Sequence, residues 1–484
     1  MKTFRKTIAL LLTVSLLASL CVCGSGSAYA DNGFPGQPPE GGPGAPPDGM
    51  GAPPDGMTPP DGMGTPPGGF GGGRPGQSAA DIEYRGAVEI TSADTQSGQT
   101  YTSTTADESA LLISTSEAVT VNDPTVTKTG DSDGGDSCNF YGLNAAVLVK
   151  DGTTTAITGG SITSDADGAN GVFCYGGNGG HNGAEGDGTT LIIRDTTITT
   201  TGDGSGGIMT TGGGVTYAYN LDVTTSGRSS APIRTDRGGG TVEVDGGTYT
   251  SNGLGSPAIY STADITVSNA TLTSNLSEGV CIEGLNSITL NNCDMTANNT
   301  ACNSNATFHD TIMIYQSMSG DADSGTSHFT MNGGSLTSKS GHVFHVTNTN
   351  AVITLNGVEI TNEDADNILL SVCADGWSGG SNAAALKAVS QKLTGAVKVG
   401  SDSVLAIELT DGSSFEGSID GSIVNAKGET VSTEVGAVSV TLDSTSTWTL
   451  TGDSYVTEFH GDAANVITNG YTLYVGGTPL ANAG

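Results

Sequence analysis

The stretch Thr-Val-Glu-Val-Asp-Gly-Gly-Thr-Tyr-Thr-Ser at residues 241–251 is followed by two near-copies of itself. These read Asp-Ile-Thr-Val-Ser-Asn-Ala-Thr-Leu-Thr-Ser at 264–274 and Ser-Ile-Thr-Leu-Asn-Asn-Cys-Asp-Met-Thr-Ala at 287–297. The copies start 23 residues apart, and each joins two alternating strand segments at a bend rich in Asn, Asp and Gly. Such residues accept left-handed backbone angles. One copy cannot cover its own apolar face, so the pattern predicts stacked copies, as in a solenoid.

The repeat extends to nine copies, each with one apolar residue before the bend and one after it. The residues before the bend are Val121, Ile157, Ile193, Ala218, Val244, Val267, Leu290, Met331 and Leu355. Those after it are Val126, Ile162, Ile198, Val223, Tyr249, Leu272, Met295, Leu336 and Ile360. A third strand is predicted around Ile233, Ile259, Cys281, Met313, Phe344 and Leu369. Its outward column is predicted to hold Cys174, Met209, Arg234, Tyr260, Ile282, Ile314 and His345. Alternating inward positions would build one continuous core.

This pattern resembles the right-handed parallel β-helix, the pectin-lyase-like architecture of polysaccharide-degrading enzymes and bacterial surface adhesins. The resemblance covers roughly residues 86–374. It implies an all-β fold with three strands per turn and capped ends. A looser similarity links the chain to calcium-dependent β-helical carbohydrate-binding proteins of clostridia. Because one fold hosts many activities, the resemblance predicts the architecture and leaves the chemistry open.

Composition divides the chain into four parts. Residues 1–30 combine a basic start, an apolar run and Ala-Tyr-Ala, which indicates a secretory signal peptide. Residues 31–80 repeat Pro-Pro-Asp-Gly-Met and are predicted to be a disordered spacer. The parallel β-helix is assigned to 81–374, and 375–484 to irregular turns and a C-terminal cap, with a helical turn within 383–398. The protein is therefore expected to be secreted or associated with the cell wall.

The chain is strongly acidic, with 16 Lys and Arg against 50 Asp and Glu and a net charge of −34. Removal of the signal peptide would take away three basic residues and no acidic ones, giving −37. Such a surface disfavours nucleic acid and anionic membranes as partners. It favours divalent cations or neutral glycans, or it serves solubility alone.

The mature chain would keep six cysteines, which are Cys138, Cys174, Cys281, Cys293, Cys302 and Cys373. Export permits disulfides, but six cysteines in a chain of this length do not make a disulfide scaffold. Buried free thiols are one interpretation, and a Cys293–Cys302 bridge is the pairing to test.

A column of nine threonines follows the post-bend apolar residues and is predicted to face outward. It includes Thr250 and Thr273. A β-branched polar residue suits a solvent-facing strand, so the column has a structural explanation. The functional alternative is a flat, hydroxyl-rich face that binds sugar polymers.

The segment Ile-Arg-Thr-Asp-Arg-Gly-Gly-Gly at 233–240 concentrates charge in a chain that is poor in arginine. Arg234, Asp236 and Arg237 lie there, and Tyr260 occupies the outward column beside them. An aromatic next to a cation suits stacking against a sugar ring or binding of an acidic glycan. Arg–Asp pairs that tie neighbouring turns together are the structural alternative.

Two acidic loops have a composition that suits Ca²⁺, which prefers oxygen ligands. They contain Asp131, Asp133 and Asp136 in one loop, and Asp165 and Asp167 with Asn170 in the other. Neither matches a complete EF-hand loop, so a solvated polar loop is the alternative.

Catalytic motifs give little support to an enzyme. The Asn-Thr-Asp, Asp-Asp, Gly-His-Gly and Arg-x-Lys strings of β-helical hydrolases do not occur. His342 and His345 are expected to face opposite sides of a strand, and Gly-Trp-Ser-Gly-Gly at 376–380 is read as a chance match to a nucleophile elbow. The favoured function is therefore a monomeric, adhesin-like protein that binds glycans or host and matrix surfaces without catalysis. A lyase or hydrolase acting on acidic glycans, with Arg234 or Arg237 as the base of a lyase, and a purely structural wall component remain as alternatives.

Overall fold

The computed structural model describes residues 82–179 and 184–481. The signal peptide predicted at 1–30 and the spacer predicted at 31–80 lie outside the described residues. Within them the chain winds as a parallel β-helix, as the repeat predicts. Each complete coil contributes one strand to each of three faces, called sheet 1, sheet 2 and sheet 3 in the order in which a coil meets them.

Six strands and a short helix open the fold: β1 Gly86–Ile90, β2 Asp94–Ser97, β3 Thr100–Ser103, β4 Ser109–Ser114, β5 Val119–Asn122, β6 Thr125–Thr129 and α1 Asp136–Tyr141. The next coils comprise β7 Val147–Lys150, β8 Thr154–Thr158, β9 Ser161–Asp165, β10 Val172–Tyr175, β11 Thr190–Arg194, β12 Thr197–Thr200, β13 Ile208–Thr211, β14 Gly214–Thr225, β15 Ile233–Thr235 and β16 Gly240–Ser251. Because β14 and β16 run through the bend without a break, they join sheets 2 and 3 into one ladder.

The middle coils comprise β17 Ile259–Ser261, β18 Asp264–Ser268, β19 Thr271–Ser274, β20 Val280–Glu283, β21 Ser287–Asn291, β22 Asp294–Ala297, β23 Asp310–Tyr315, β24 Thr326–Asn332, β25 Ser335–Ser338, β26 His342–Thr347, β27 Thr349–Asn356 and β28 Glu359–Asn362. The last coils comprise β29 Ile368–Val372, β30 Asn382–Val389, β31 Lys392–Thr394, β32 Ala396–Val399, β33 Ser403–Thr410, β34 Ser414–Gly417, β35 Ile419–Asp420, β36 Ile423–Val424, β37 Thr430–Ser432, β38 Ala437–Leu442, β39 Thr447–Leu450, β40 Ser454–Val456, β41 Glu458–His460, β42 Val466–Ile467, β43 Leu473–Val475 and β44 Thr478–Pro479, with a 3₁₀ turn at Ala463–Asn465.

The two predicted apolar columns form the core. In sheet 2, Val244, Val267 and Leu290 are register partners on successive coils, and all are buried. In sheet 3, Leu272 and Met295 are partners in the same way and are fully buried. Side chains alternate across a strand, so one fixed phrase places the same position inward on every coil.

The bends between sheets 2 and 3 are stabilised by side-chain amides stacked from coil to coil. Asn269 and Asn292 have positive φ angles of 55° and 52°, which Asn tolerates better than most residues. The Nδ2 of Asn292 donates to the Oδ1 of Asn269 at 3.1 Å. Next to it, the Nδ2 of Asn332 donates to the Oδ1 of Asn291 at 2.8 Å, and Asn356 donates in turn to Asn332. The bend residues therefore both turn the chain and bond adjacent coils.

The coil continues past residue 374, and the helical turn predicted within 383–398 is wrong. Strand β30 pairs in parallel with β27 and β33 over its whole length. Ala384 and Leu386 point into the core, so burial against neighbouring coils overrides the helix propensity of the alanines. Further on, Trp448 stacks on Phe415 with ring centroids 5.6 Å apart, and both rings are buried in the core.

Sheet 1 departs from the predicted outward column by one residue at three places. The outward register is Phe173, Met209, Arg234, Tyr260, Cys281, Met313 and His345. Cys174, Ile282 and Ile314, which were predicted to face outward, are buried in the main core. Cys281 and Met313, predicted to be inward, lie on the outer face with Tyr315 and Trp377. The spacing between the repeated phrase and the sheet 1 strand varies, and a slip of one residue exchanges the two faces.

All six described cysteines are free, and all but Cys302 are buried. The Cys293–Cys302 bridge is therefore not formed in this structure. Among the described residues, no helix has the length and apolar character needed to cross a membrane.

Candidate functional site

A cavity of about 400 Å³ lies on the outer face of sheet 1. Its base is formed by outward side chains of four successive strands, β15, β17, β20 and β23. Arg234, Tyr260, Cys281 and Met313 occupy equivalent positions on those strands. The register of the β-helix thus aligns a cation, an aromatic ring and two sulfur-containing side chains along one line.

The walls of the cavity come from the segments that interrupt the repeat. Helix α1 contributes Asp136, Asn139 and Phe140, and the connection between β22 and β23 contributes residues 303–306. Residues 317–319 and Asp321 follow β23, and Trp377 precedes β30. The inserted residues therefore turn a flat strand surface into a concave site, the shape that binds small ligands.

Arg234 is nearly buried and is held by a carboxylate from its own coil. Its Nη2 lies 2.7 Å from the Oδ2 of Asp236, and its Nη1 donates to the Oδ1 of Asn139 at 3.3 Å. The backbone N–H of Arg237 donates to the other oxygen of Asp236 at 3.0 Å. Burial raises the pKa of Asp236 to about 6, although Arg234 opposes the shift. Both oxygens of Asp236 therefore accept hydrogen bonds from N–H donors.

Arg237 lies at the rim of the cavity between two aspartates. Its Nε and Nη2 lie 3.0 and 2.5 Å from the Oδ1 of Asp321, and its guanidinium lies 4.2 Å from the centre of the Phe140 ring. Burial alone would lower the pKa of Arg237, but Asp321 and Asp136 outweigh burial and raise it. Arg237 therefore stays protonated and is poorly suited to abstract a proton.

Glu283 is the centre of a hydroxyl network at the base of the cavity. Tyr260 donates to its Oε2 at 2.7 Å and Tyr315 at 3.2 Å, while Ser317 and Ser319 donate to its Oε1. The residue is only 1% exposed. Burial raises the pKa of Glu283, and the hydroxyl donors oppose the shift. Glu283 was not predicted from the sequence, because its strand was placed in the wrong register.

Aromatic rings form one side of the cavity. The rings of Tyr315 and Trp377 pack with centroids 4.9 Å apart, and Tyr260 packs against the same cluster. Trp377 belongs to the Gly-x-Ser-x-Gly string at 376–380. This string lies in the connection between β29 and β30, as expected for a chance match to the nucleophile elbow. Sequence offered no reason to single out Trp377, since its partner Tyr315 comes from another coil.

A buried polar cluster lies on the next coils of sheet 1. The Nδ1 atoms of His342 and His345 both lie 2.7 Å from the Oγ of Ser371. The expectation that the two histidines face opposite sides is wrong, because Val343 and Phe344 both enter the core and break the alternation between them. The Nε2 of His345 lies 3.5 Å from the Oδ2 of Asp375, and all these side chains are buried. Burial, reinforced by His345, lowers the pKa of His342 to about 3.

The predicted threonine column is in register but lies on a different face from the cavity. Thr250 pairs with Thr224 on one side and with Thr273 on the other, and the column continues from Thr127 to Thr361. Thr250 and Thr273 are half-buried on sheet 3, and neither lines the cavity. Of the six predicted ligand-binding residues, the cavity gathers Arg234, Asp236, Arg237 and Tyr260.

In the predicted calcium loops, the carboxylates accept hydrogen bonds from the neighbouring coil. The Oδ1 of Asp131 accepts the backbone N–H of Asp167 at 3.0 Å, and the Oδ1 of Asp167 accepts that of Asp203 at 2.8 Å. Thr201 donates to Asp165 on the same surface. No group of three or more His, Cys, Asp or Glu within the described ranges is placed to hold a metal ion.

Asp133 is exposed, whereas Asp136 lines the cavity on sheet 1. Burial raises the pKa of Asp136, and Arg237 opposes the shift. The calcium site stays a prediction without a gathered ligand set in this structure.

Comparison of the chain with family models, curated proteins and solved structures gives no match.

Proposed function

We propose that the protein is a saccharide-binding β-helix whose ligand occupies the cavity on the outer face of sheet 1. The observation that carries this proposal is the lining of the cavity, where Tyr260, Tyr315 and Trp377 stand beside Arg234 and Glu283. Aromatic rings bury the apolar faces of sugar rings, and fixed charged groups bind their hydroxyls. A volume of about 400 Å³ suits a short saccharide or the end of a chain.

The proposal retains the predicted setting of a secreted or wall-associated monomer of the pectin-lyase-like or adhesin type. The export signal and the Pro-rich spacer in the sequence support this setting. A purely structural role gives no reason for a cavity that combines buried charges with aromatic rings.

Glycosidic bond cleavage is the second candidate, because Asp236 and Glu283 place two carboxyl groups with raised pKa values in the same cavity. A raised pKa is typical of the carboxyl group that acts as the general acid in glycoside hydrolysis. An eliminative lyase with an arginine base has less support. Arg234 and Arg237 are both paired with carboxylates, and the pKa of Arg237 is raised.

Calorimetric titration of the mature protein with neutral and acidic oligosaccharides tests the proposal, with and without Ca²⁺. Each mixture is also assayed for reducing ends and for ultraviolet absorbance from unsaturated products. Trp377→Ala should lose binding, whereas the double variant Thr250→Val/Thr273→Val should retain it. Binding without products supports recognition alone. Reducing ends that disappear in Asp236→Asn would establish cleavage. Binding lost only in the threonine variant would refute the cavity as the site.

A further inference from the structure

We propose that the saccharide bound in the sheet 1 cavity carries a free primary ammonium group, as in a deacetylated amino sugar. This inference rests on the proposed saccharide-binding function and specifies the class of ligand.

Acidic side chains outnumber basic ones in the lining of the cavity. The charged groups comprise five acidic side chains, Asp136, Asp236, Glu278, Glu283 and Asp321, against the two basic side chains Arg234 and Arg237. The arginines are already engaged, because Arg234 pairs with Asp236 and Arg237 lies between Asp321 and Asp136. The positive charge in the lining is therefore used within these pairs.

The contacts found for Glu278 and Glu283 come from neutral groups. Glu283 accepts from the hydroxyls of Tyr260, Tyr315, Ser317 and Ser319. Glu278 accepts from Ser277 and Asn299. Both carboxyls are almost fully buried, which disfavours their charged form unless a counter-charge is present. A ligand that brings a cation would supply that counter-charge.

A primary ammonium fits the surroundings of Glu283 better than a metal ion. It offers three donors to carboxyl and hydroxyl oxygens, and Tyr260, Tyr315 and Trp377 line the same cavity with aromatic rings, which attract cations. The described residues provide no set of three or more metal-ligating side chains. An organic cation therefore accounts for both the acidic and the aromatic lining.

An amino sugar is favoured over a lysine-bearing peptide by the remaining lining. Asn139, Asn303 and Asn305 add amide donors and acceptors that match several ring hydroxyls rather than one extended side chain. The net charge of −34 would also attract a cationic glycan over long distances at low salt.

The test compares two ligands of equal length, tri-N-acetylglucosamine and its fully deacetylated counterpart, by calorimetry at one pH and ionic strength. We expect the unaltered protein to bind the deacetylated trimer at least about tenfold more tightly, which corresponds to about 1.4 kcal/mol. Glu283→Gln should abolish that preference. Glu243→Gln, which removes an exposed carboxylate of sheet 2 outside the cavity, should preserve it.

Equal affinity for both trimers would overturn the ammonium inference and leave the proposed function in place. Binding of spermidine or of a lysine-rich peptide with no binding of either trimer would overturn both. The comparison on the unaltered chain decides between these results, so the inference stays testable even if Glu283→Gln fails to fold.

Discussion

Sheet 3 and sheet 1 both present in-register columns of outward side chains. The two columns differ in their residues and in the segments that lie over them. On sheet 3 the same residue, threonine, recurs from Thr127 to Thr361, and the column lines no part of the cavity. On sheet 1 the column changes from coil to coil, from Arg234 through Tyr260 and Cys281 to His345. Inserted segments form the walls of the cavity over this second column.

In this repeating fold, the candidate site lies where the chain departs from the repeat. A uniform column has the explanation that β-branched residues favour strands. A charged and aromatic column, buried beneath inserted segments, costs desolvation free energy that packing alone does not explain. Four predictions sharpen this difference, in order of decreasing effect.

The largest effect should come from the core beneath the threonine column. Leu272 is fully buried between Thr271 and Thr273 in sequence. Leu272→Ala should lower the free energy of unfolding by about 2–5 kcal/mol, since it leaves a cavity. Thr273→Val, the matched change on the outer side, should alter it by less than about 0.5 kcal/mol. Urea unfolding measures both, and a large loss in Thr273→Val would mean that the outer column is structurally essential.

The second largest effect concerns saccharide binding in the sheet 1 cavity. Trp377→Ala removes a ring that packs on Tyr315 at the cavity wall. Buried tryptophans at binding sites contribute about 2 kcal/mol or more, so saccharide affinity should fall by roughly 30-fold. Calorimetry checks the fall, with Thr250→Val as the control. Comparable losses in the two variants would remove the distinction between the faces.

The third effect is a pH dependence confined to the sheet 1 side. The pKa of His342 falls to about 3 through burial and the proximity of His345. Below about pH 6.5, His342 is protonated in the unfolded chain but stays neutral in the folded chain. The contribution of His342 to stability should therefore decrease by at most about 1.4 kcal/mol between pH 6.5 and pH 5.5.

His342→Asn keeps a group able to hydrogen-bond Ser371 and does not titrate. The stability difference between the unaltered protein and this variant, measured in urea at several pH values, should shift in favour of the variant as the pH falls. A difference that does not change with pH would show that His342 titrates normally in the folded state.

The smallest effect tests the bonds between coils, which both faces share. Asn332 donates to Asn291 and accepts from Asn356. Asn332→Ala should cost about 1–2 kcal/mol, because it removes two partly buried hydrogen bonds. Asn292→Gly removes the more exposed bond to Asn269 and keeps a residue that accepts the positive φ, so it should cost less. Equal losses of unfolding free energy in the two variants, measured in urea, would show that burial of the ladder contributes nothing to stability.

The sequence predicted the features that depend on residues close together in the chain. Val267 and Leu272 could be placed inward because a fixed bend joins the two strands of the phrase. Cys281 was placed on the wrong side because the connection that leads to its strand varies in length. Arg234, Asp236 and Arg237 stood out because arginine is scarce in the chain.

The rest of the site could not be read from the sequence, because its walls come from distant segments. Trp377 meets Tyr315 across two coils, and Asn139 of α1 reaches Arg234 from an earlier part of the chain. Neither contact leaves a local pattern. Insertions could be recognised by their lengths, but the face that they cover depends on the register of sheet 1.

The most direct test of the account is a crystal structure of the mature protein with a bound saccharide. If the saccharide binds as proposed, electron density for it is expected in the sheet 1 cavity, in contact with Tyr260 and Trp377 and within hydrogen-bond distance of Glu283. Density along the threonine column, centred on Thr250 and Thr273 with the cavity empty, would contradict it.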